Sequence, residues 1–273
     1  MDSLKGRVSV VTGAASGIGR ATARVLAARG SHLALCDVNV QGLEQTAREL
    51  GSSRVKVSTH DVDVSNKARM ADLPDEVIRE HGAVHVVINN AGVSVASTFA
   101  QHSIEDFEWL FGINFWGVVY GCKFFLPRLL EADQAHIVNI SSVFGFTGMP
   151  MNGSYCASKF AVRGLTETLR IELAGTTVGV TCVHPGGVAT NIAASSRFND
   201  PGSSKLKDLR QQMVDRFKRM LPPEKAGEAI VRAIERNTAR LLITPEAYVI
   251  DAVKRAFPAL STELVGWRWQ RMH

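Results

Sequence analysis

Cysteine is scarce in this chain, four residues in 273, and no two have the spacing of a zinc or redox pair. Cys36, Cys122, Cys156 and Cys182 are spread widely, each in or beside an apolar stretch. That pattern suits buried, inert thiols in a reducing compartment. Cys182 and His184 flank one residue but have no further ligands close by in sequence, so no metal is expected. Also missing is any run of the ~18 uninterrupted apolar residues that a membrane-spanning helix needs. Residues 1–7 are polar and lack a signal-peptide pattern, which makes a cytoplasmic protein the expectation. There is no low-complexity linker and no internal repeat, so residues 1–273 read as a single domain. The charge balance is mild, with a formal net charge of +5. Its excess gathers late, at Lys205, Lys207, Arg210, Arg216, Lys218, Arg219, Arg232, Arg236, Arg240, Lys254 and Arg255. Solvated helix faces explain these cations better than an acidic partner does, and no nucleic-acid partner is assigned.

What the chain does contain is alternation. Apolar, strand-like runs fall at 7–12, 31–36, 54–59, 85–88, 136–140, 178–184 and 241–244. Helical patterns fall between them, at 17–30, 40–50, from a Ser65 cap to about 80, from a Ser103 cap to about 131, at 154–173, 223–237 and 245–257. Strands that are apolar on both faces and alternate with helices imply a doubly wound, Rossmann-like α/β fold, a parallel sheet covered on both sides. Residues 190–222 read as an insert over the carboxyl edge of that sheet, and 258–273 as a tail. In such folds ligands bind where the strands end, so the chemistry belongs in the loops after them.

The first such loop is Thr12-Gly13-Ala14-Ala15-Ser16-Gly17-Ile18-Gly19. Gly13 permits a tight turn, Gly17 lets backbone approach a phosphate, and Gly19 lets the helix pack closely on the sheet. A helix that opens here presents free N–H groups and its positive dipole end to a pyrophosphate. The second strand ends at Asp37, eighteen residues after Gly19. A carboxylate there accepts both adenosine-ribose hydroxyls and repels a 2′-phosphate. No arginine or lysine stands in the glycine loop, and Val38 follows Asp37, so NAD is favoured over NADP.

With these residues in place the chain resembles the short-chain dehydrogenase/reductase family. Residues 12–19 match its T-G-x-x-x-G-x-G loop, and Asn89-Asn90-Ala91-Gly92 its N-N-A-G. Ser142, Tyr155 and Lys159 match its S…Y-x-x-x-K with the family's thirteen-residue step from serine to tyrosine, and Asn114 falls where the family has a catalytic asparagine. Residues 185–190 match its P-G-x-x-x-T. The likeness covers about residues 5 to 190. It implies a seven-stranded parallel sheet, with Asp61 and Val62 around the adenine, Asn89 and Ala91 on the adenosine side, and Pro185, Gly186, Val188 and Thr190 at the nicotinamide end. It also implies a homodimer or homotetramer, often joined through the helices around 111–130 and 155–173.

Tyr155 and Lys159, four apart on a helix, share a face. A free tyrosine titrates near ~10 and is a poor base at neutrality. An adjacent ammonium, together with the positive nicotinamide ring of the oxidised cofactor, is expected to favour its phenolate and bring it towards general-base strength. Ser142 would donate to the substrate oxygen, and Asn114, by the resemblance, would hold a water on Lys159. The activity expected is hydride transfer between NAD(H) and a secondary alcohol or ketone. The resemblance places the substrate between Ser94, Val95, the loop 143–152 and the insert, where Phe144, Phe146, Met149, Met151 and Phe198 point to an apolar or bulky molecule. Competing readings are a redox sensor that binds NAD without turnover, an isomerase or dehydratase with a tightly held cofactor, and an NADP-dependent carbonyl reductase. The Trp267-Arg268-Trp269-Gln270-Arg271 segment would suit a bilayer surface, a subunit seam or a pocket cover, with membrane contact the least favoured.

Overall fold

The computed structural model describes residues 1–51, 54–198, 215 and 219–271. Lys205, Lys207, Arg210, Arg216, Lys218 and most of the expected insert lie outside the described residues. Seven parallel strands form one sheet: β1 (Val8–Thr12), β2 (His32–Asp37), β3 (Val57–Asp61), β4 (Val86–Asn89), β6 (Ala135–Ile140), β7 (Val178–Pro185) and β9 (Arg240–Ile243), in the order β3-β2-β1-β4-β6-β7-β9. A parallel pair needs a crossover, and helices supply it: α1 (Gly17–Ala28), α2 (Val40–Leu50), α3 (Lys67–His81), α4 (Ile104–Phe111), α5 (Gly117–Leu130), α6 (Gly153–Glu172) and α7 (Pro223–Glu235). Two more helices, α8 (Pro245–Ala256) and α9 (Pro258–Gln270), follow β9. Strand order reverses on either side of β1, which places a crevice at the carboxyl ends of β1 and β4.

Alternation along each strand divides the core. Val11, Leu33, Leu35, Ile88, Val138 and Val183 pack under α1, α2 and α7, meeting Leu26, Leu43 and Ile230. Val8, Val10, Ala34, Val87, Ile137 and Val180 face the other way, onto Met70 and Leu73 of α3, Phe125 of α5 and Val162 of α6. Residues buried on both faces explain why these strands read as unbroken apolar runs.

Several boundaries differ from the sequence reading. β3 begins at Val57 because its register is set by β2, with Leu33 opposite Val57 and Asp37 opposite Asp61. The cap of α3 is Asn66, whose side chain accepts the Arg69 N–H at 3.1 Å. Ser65 is unavailable for that task, since its hydroxyl and its N–H both donate to Asp63 Oδ1, at 2.7 and 2.9 Å. Ser103 caps α4 as expected, accepting the Asp106 N–H at 3.1 Å. The long helix after it is not uniform: residues Gly112–Trp116 form a π turn, with the Gly117 N–H reaching the Gly112 carbonyl. The run Ile104–Leu130 is long and apolar enough to cross a membrane by length and composition. Its α5 half packs on β4, β6 and α3, as a core helix does.

Three elements were not foreseen. Val95–Ala96 (β5) pairs in parallel with Arg197–Phe198 (β8), tying the start of the insert to the segment after β4. The tail is a helix, α9, with no buried residue. Among the late cations, Arg232 pairs with Glu228, and Arg240 and Arg255 both pair with Asp251. All four cysteines are buried and free.

Candidate active site

A cleft of about 800 Å³ runs across the carboxyl ends of the strands. Every loop expected to hold cofactor contributes to it. Gly13, Ser16, Gly17 and Ile18 come from the first loop, Asp37 from the end of β2, Val62 from beyond β3, Ala91 from beyond β4, and Pro185, Gly186, Val188 and Thr190 from the end of β7. Gly13 and Gly17 have φ of 67° and 52°, a backbone that glycine adopts without strain. A Cβ on Gly17 would come within 3.1 Å of the Thr190 methyl, so the loop has no room for a side chain there. Ser16 is the N-cap of α1, yet its side chain makes no capping bond. Backbone N–H groups at the head of α1 thus face a roomy cleft, a fit for the phosphates of a dinucleotide. Asp37 is held rigidly by the Ala15 N–H on Oδ2 and the Asn39 N–H on Oδ1, each at 3.0 Å. Arg20, just past the loop, donates to the Ala15 and Gly42 carbonyls.

Four expected residues do not line the cleft. Gly19 lies beneath it, where a Cβ would collide with the Gly13 carbonyl, in keeping with the packing role read for it. Asp61 is absent from the walls of the cleft. Its carbonyl accepts the Arg69 Nε–H at 3.0 Å, and Asp63 and Val64 join Val62 in the wall. The sequence signal was present in the repeated Asp-Val of residues 61–64, but the choice between copies depends on where β3 ends. Asn89 turns its side chain into the core, donating to Asn139 Oδ1 at 2.8 Å, and Asn90 takes its place at the cleft. Asn114 is fully buried in the π turn, accepting the Val93 N–H at 2.8 Å and donating to the Val93 carbonyl at 3.0 Å. Gly92 keeps it near Lys159: a Cβ there would lie 3.3 Å from Asn114 Oδ1 and 3.6 Å from Lys159 Nζ.

Ser142, Tyr155 and Lys159 do converge on the cleft. Ser142 leaves β6 and opens a short 3-10 turn, its hydroxyl accepting the Phe144 N–H at 3.2 Å. Its carbonyl accepts the Nδ1–H of buried His184 at 3.0 Å, which fixes the turn from β7. The Ser142 hydroxyl stands close enough to the Tyr155 phenol to act on its pKa. Lys159 Nζ stands 5.6 Å from the centre of the Tyr155 ring and donates to the Ile140 carbonyl at 2.9 Å.

Burial dominates the electrostatics of the cluster. Burial pushes the Tyr155 phenol up to about 12, against the lowering effect of the nearby Ser142 hydroxyl. Burial also pulls the Lys159 ammonium down to about 8. Both groups lose water without gaining a full counter-charge, so both neutral forms are favoured.

At the substrate end Ser94, Phe144, Met149 and Met151 line the cleft as read from sequence. Phe146 does not; it is buried beside His184 and Ala247. Val95 is buried in the β5 pairing and Phe198 is half-buried in β8. Glu246 and Ile250 of α8, and Ile113 of the π turn, are walls that no motif announced.

A doubly wound sheet with a glycine-rich phosphate loop and a Ser–Tyr–Lys cluster at its crevice defines a dinucleotide-dependent oxidoreductase architecture. Residues 7–200 match the short chain dehydrogenase family. The chain is 38% identical over 268 residues to "Putative oxidoreductase SadH" of Mycobacterium tuberculosis, covering 97% of this chain and 96% of that one. Its fold superposes with a TM-score of 0.88 on a short chain dehydrogenase/reductase from Burkholderia phymatum in complex with NAD, 33% identical over 96% of this chain and 97% of that one. An alcohol dehydrogenase from the archaeon Thermococcus sibiricus complexed with 5-hydroxy-NADP matches with a TM-score of 0.73 and 30% identity, covering 87% and 95% of the two chains. This chain belongs to the short-chain dehydrogenase/reductase family, and it is an oxidoreductase of that family.

Proposed function

We propose that the protein transfers a hydride between NAD(H) and an apolar or bulky secondary alcohol or ketone, with Tyr155 passing the proton. The observation that carries this reading is the convergence of the Ser142 hydroxyl, the Tyr155 phenol and the Lys159 ammonium on one cleft with the glycine loop. When bound, the nicotinamide ring supplies or accepts the hydride. Gly13, Ser16, Gly17 and Ile18 hold the phosphates. Asp37 takes the ribose hydroxyls, and Val62 with Asp63 borders the adenine.

For reduction the phenol is ready as it stands, protonated and able to give its proton to the substrate oxygen. Ser142 Oγ accepts from Phe144, which leaves its own hydrogen to stabilise charge on that oxygen. For oxidation Tyr155 must first become a base, and positive charge brought into the cleft lowers its pKa. Lys159 supplies part of that charge. Asn114, locked to the backbone of Val93, sets the floor on which Lys159 rests.

Asp37, with Val38 after it and no lysine or arginine in residues 12–19, supports NAD over NADP. Exposed apolar surface at Trp116, Phe160 and Ile171 supports a homo-oligomer joined through the π turn and α6. A panel of apolar secondary alcohols with NAD and NADP, followed by the absorbance of the reduced nicotinamide, tests the reading. Turnover with NAD and at least about tenfold weaker turnover with NADP are expected. Equal or better use of NADP overturns the role given to Asp37, and no turnover of any alcohol or ketone with either cofactor overturns the function.

A further inference from the structure

The helix after the last strand forms a wall of the cleft, and it brings a charge. Ala247 of α8 is buried against Val143 and Phe146, with Phe144 and Ile250 packed on the same cluster. Its first turn therefore stands beside the segment that carries Ser142. Thr244 enters the helix at φ 90°, a left-handed backbone that is costly for a β-branched residue. That turn sets Glu246 against the loop after β7. The Gly187 N–H donates to Glu246 Oε1 at 2.9 Å, and a Cβ on Gly186 would lie 2.9 Å from the same oxygen. Burial acts to raise the Glu246 carboxyl, but the N–H groups of Gly187 and of its own backbone outweigh burial and hold it below its ordinary value. It is ionised at neutral pH.

Charged side chains lining the cleft, among the described residues, are Asp37, Asp63, Lys159 and Glu246. The two aspartates belong to the loops after β2 and β3. The Lys159 ammonium is turned back onto the Ile140 carbonyl. Phe144, Met149 and Ile250 give the same cleft an apolar wall. We propose that Glu246 is a specificity-determining residue, whose carboxylate turns acidic molecules away from the substrate end and restricts it to neutral or cationic apolar alcohols and ketones. The assignment rests on the oxidoreductase reading above. Glu246 is exposed to solvent, so a second carboxylate placed beside it would be repelled most at low salt, and such repulsion is how a site rejects a molecule of otherwise suitable shape.

The test uses a matched pair of ketones, para-acetylbenzoate and para-acetylbenzamide, which differ in charge and little in size. Dissociation constants by calorimetry, and kcat/KM with NADH, are measured for the native protein and for Glu246→Gln at low and high salt. Glutamine keeps an oxygen for the Gly187 N–H and removes the charge. The native protein is expected to favour the amide on the order of tenfold at low salt, less at high salt, and Glu246→Gln to lose most of that preference. An equal preference in both proteins, or a native preference for the acid, overturns the assignment. The expected binding preference without turnover of either ketone, or of any alcohol, supports the assignment and instead contradicts the oxidoreductase reading.

Discussion

Lys159 is an ammonium set inside the protein, 3% exposed, and it donates to the Ile140 carbonyl. Its pKa falls from the ordinary 10.5 to about 8 because burial penalises the charge. Between those values the unfolded chain holds a proton that the folded chain has released. Unfolding then takes up a proton, so stability rises with pH across that window and the penalty is fully present below it. Lys159→Met removes a buried charge of low compensation. We expect it to stabilise the cofactor-free protein by about 1–3 kcal/mol at neutral pH and to abolish the rise in stability between about pH 8 and pH 10. Urea unfolding of both proteins across that range checks this. A variant less stable than the native chain at pH 7, with the same pH dependence, contradicts it. The expected stabilisation would mean that Lys159 is retained for chemistry at the expense of stability, as active-site groups often are. Its identity was legible from its spacing to Tyr155. The direction of the tyrosine's pKa was not, because spacing alone does not say how much water the fold removes.

The helices position the site through contacts that admit no side chain. Gly121 of α5 passes directly over the Asn89 amide, and a Cβ at this position would collide with Asn89 Oδ1. Asn89 Nδ2 donates to Asn139 Oδ1 at 2.8 Å, and Asn139 Nδ2 donates to Thr166 Oγ1 at 3.0 Å. The chain of amides joins β4 to β6 and α6 beneath the Asn90–Gly92 loop and the Tyr155 helix. Gly121→Ala forces that amide aside and leaves buried polar groups short of partners. A loss of about 1–3 kcal/mol is expected, read from the urea midpoint. A change under about 0.5 kcal/mol would show that the helix yields without disturbing the amides. A glycine at 121 is plain in the sequence; the amide that it passes over is not. The same holds for the π turn at Gly112–Trp116, since a helical pattern with glycines near its middle does not specify where the extra residue is inserted. Asp63 in place of Asp61, and Asn66 in place of Ser65, are errors of register: repeated residue types lie side by side, and only the pairing of β3 with β2 decides which copy faces the cleft.

Across the whole molecule the cleft is assembled from loops that follow β1, β2, β3, β4, β6, β7 and β9. The sequence revealed those with a motif, because glycine turns, Asn-Asn-Ala-Gly, Ser…Tyr-x-x-x-Lys and Pro-Gly each carry a local physical requirement. It was silent on the wall from α8, where Glu246 and Ile250 reach the cleft only through the position of β9 beside β7. It also missed β5 with β8, since two-residue strands leave no periodicity to read. The central claim is that the dinucleotide end and the proton-transfer end are separate parts of one cleft, the first built by backbone and Asp37, the second by the phenol of Tyr155. Tyr155→Phe separates them, because phenylalanine keeps the ring that packs on Phe144 and lacks only the hydroxyl. NAD binding and alcohol oxidation measured on one preparation of that variant test the claim most directly. We expect NAD affinity within about threefold of the native value and turnover lower by at least about a thousandfold; near-native turnover with intact NAD binding would contradict the account.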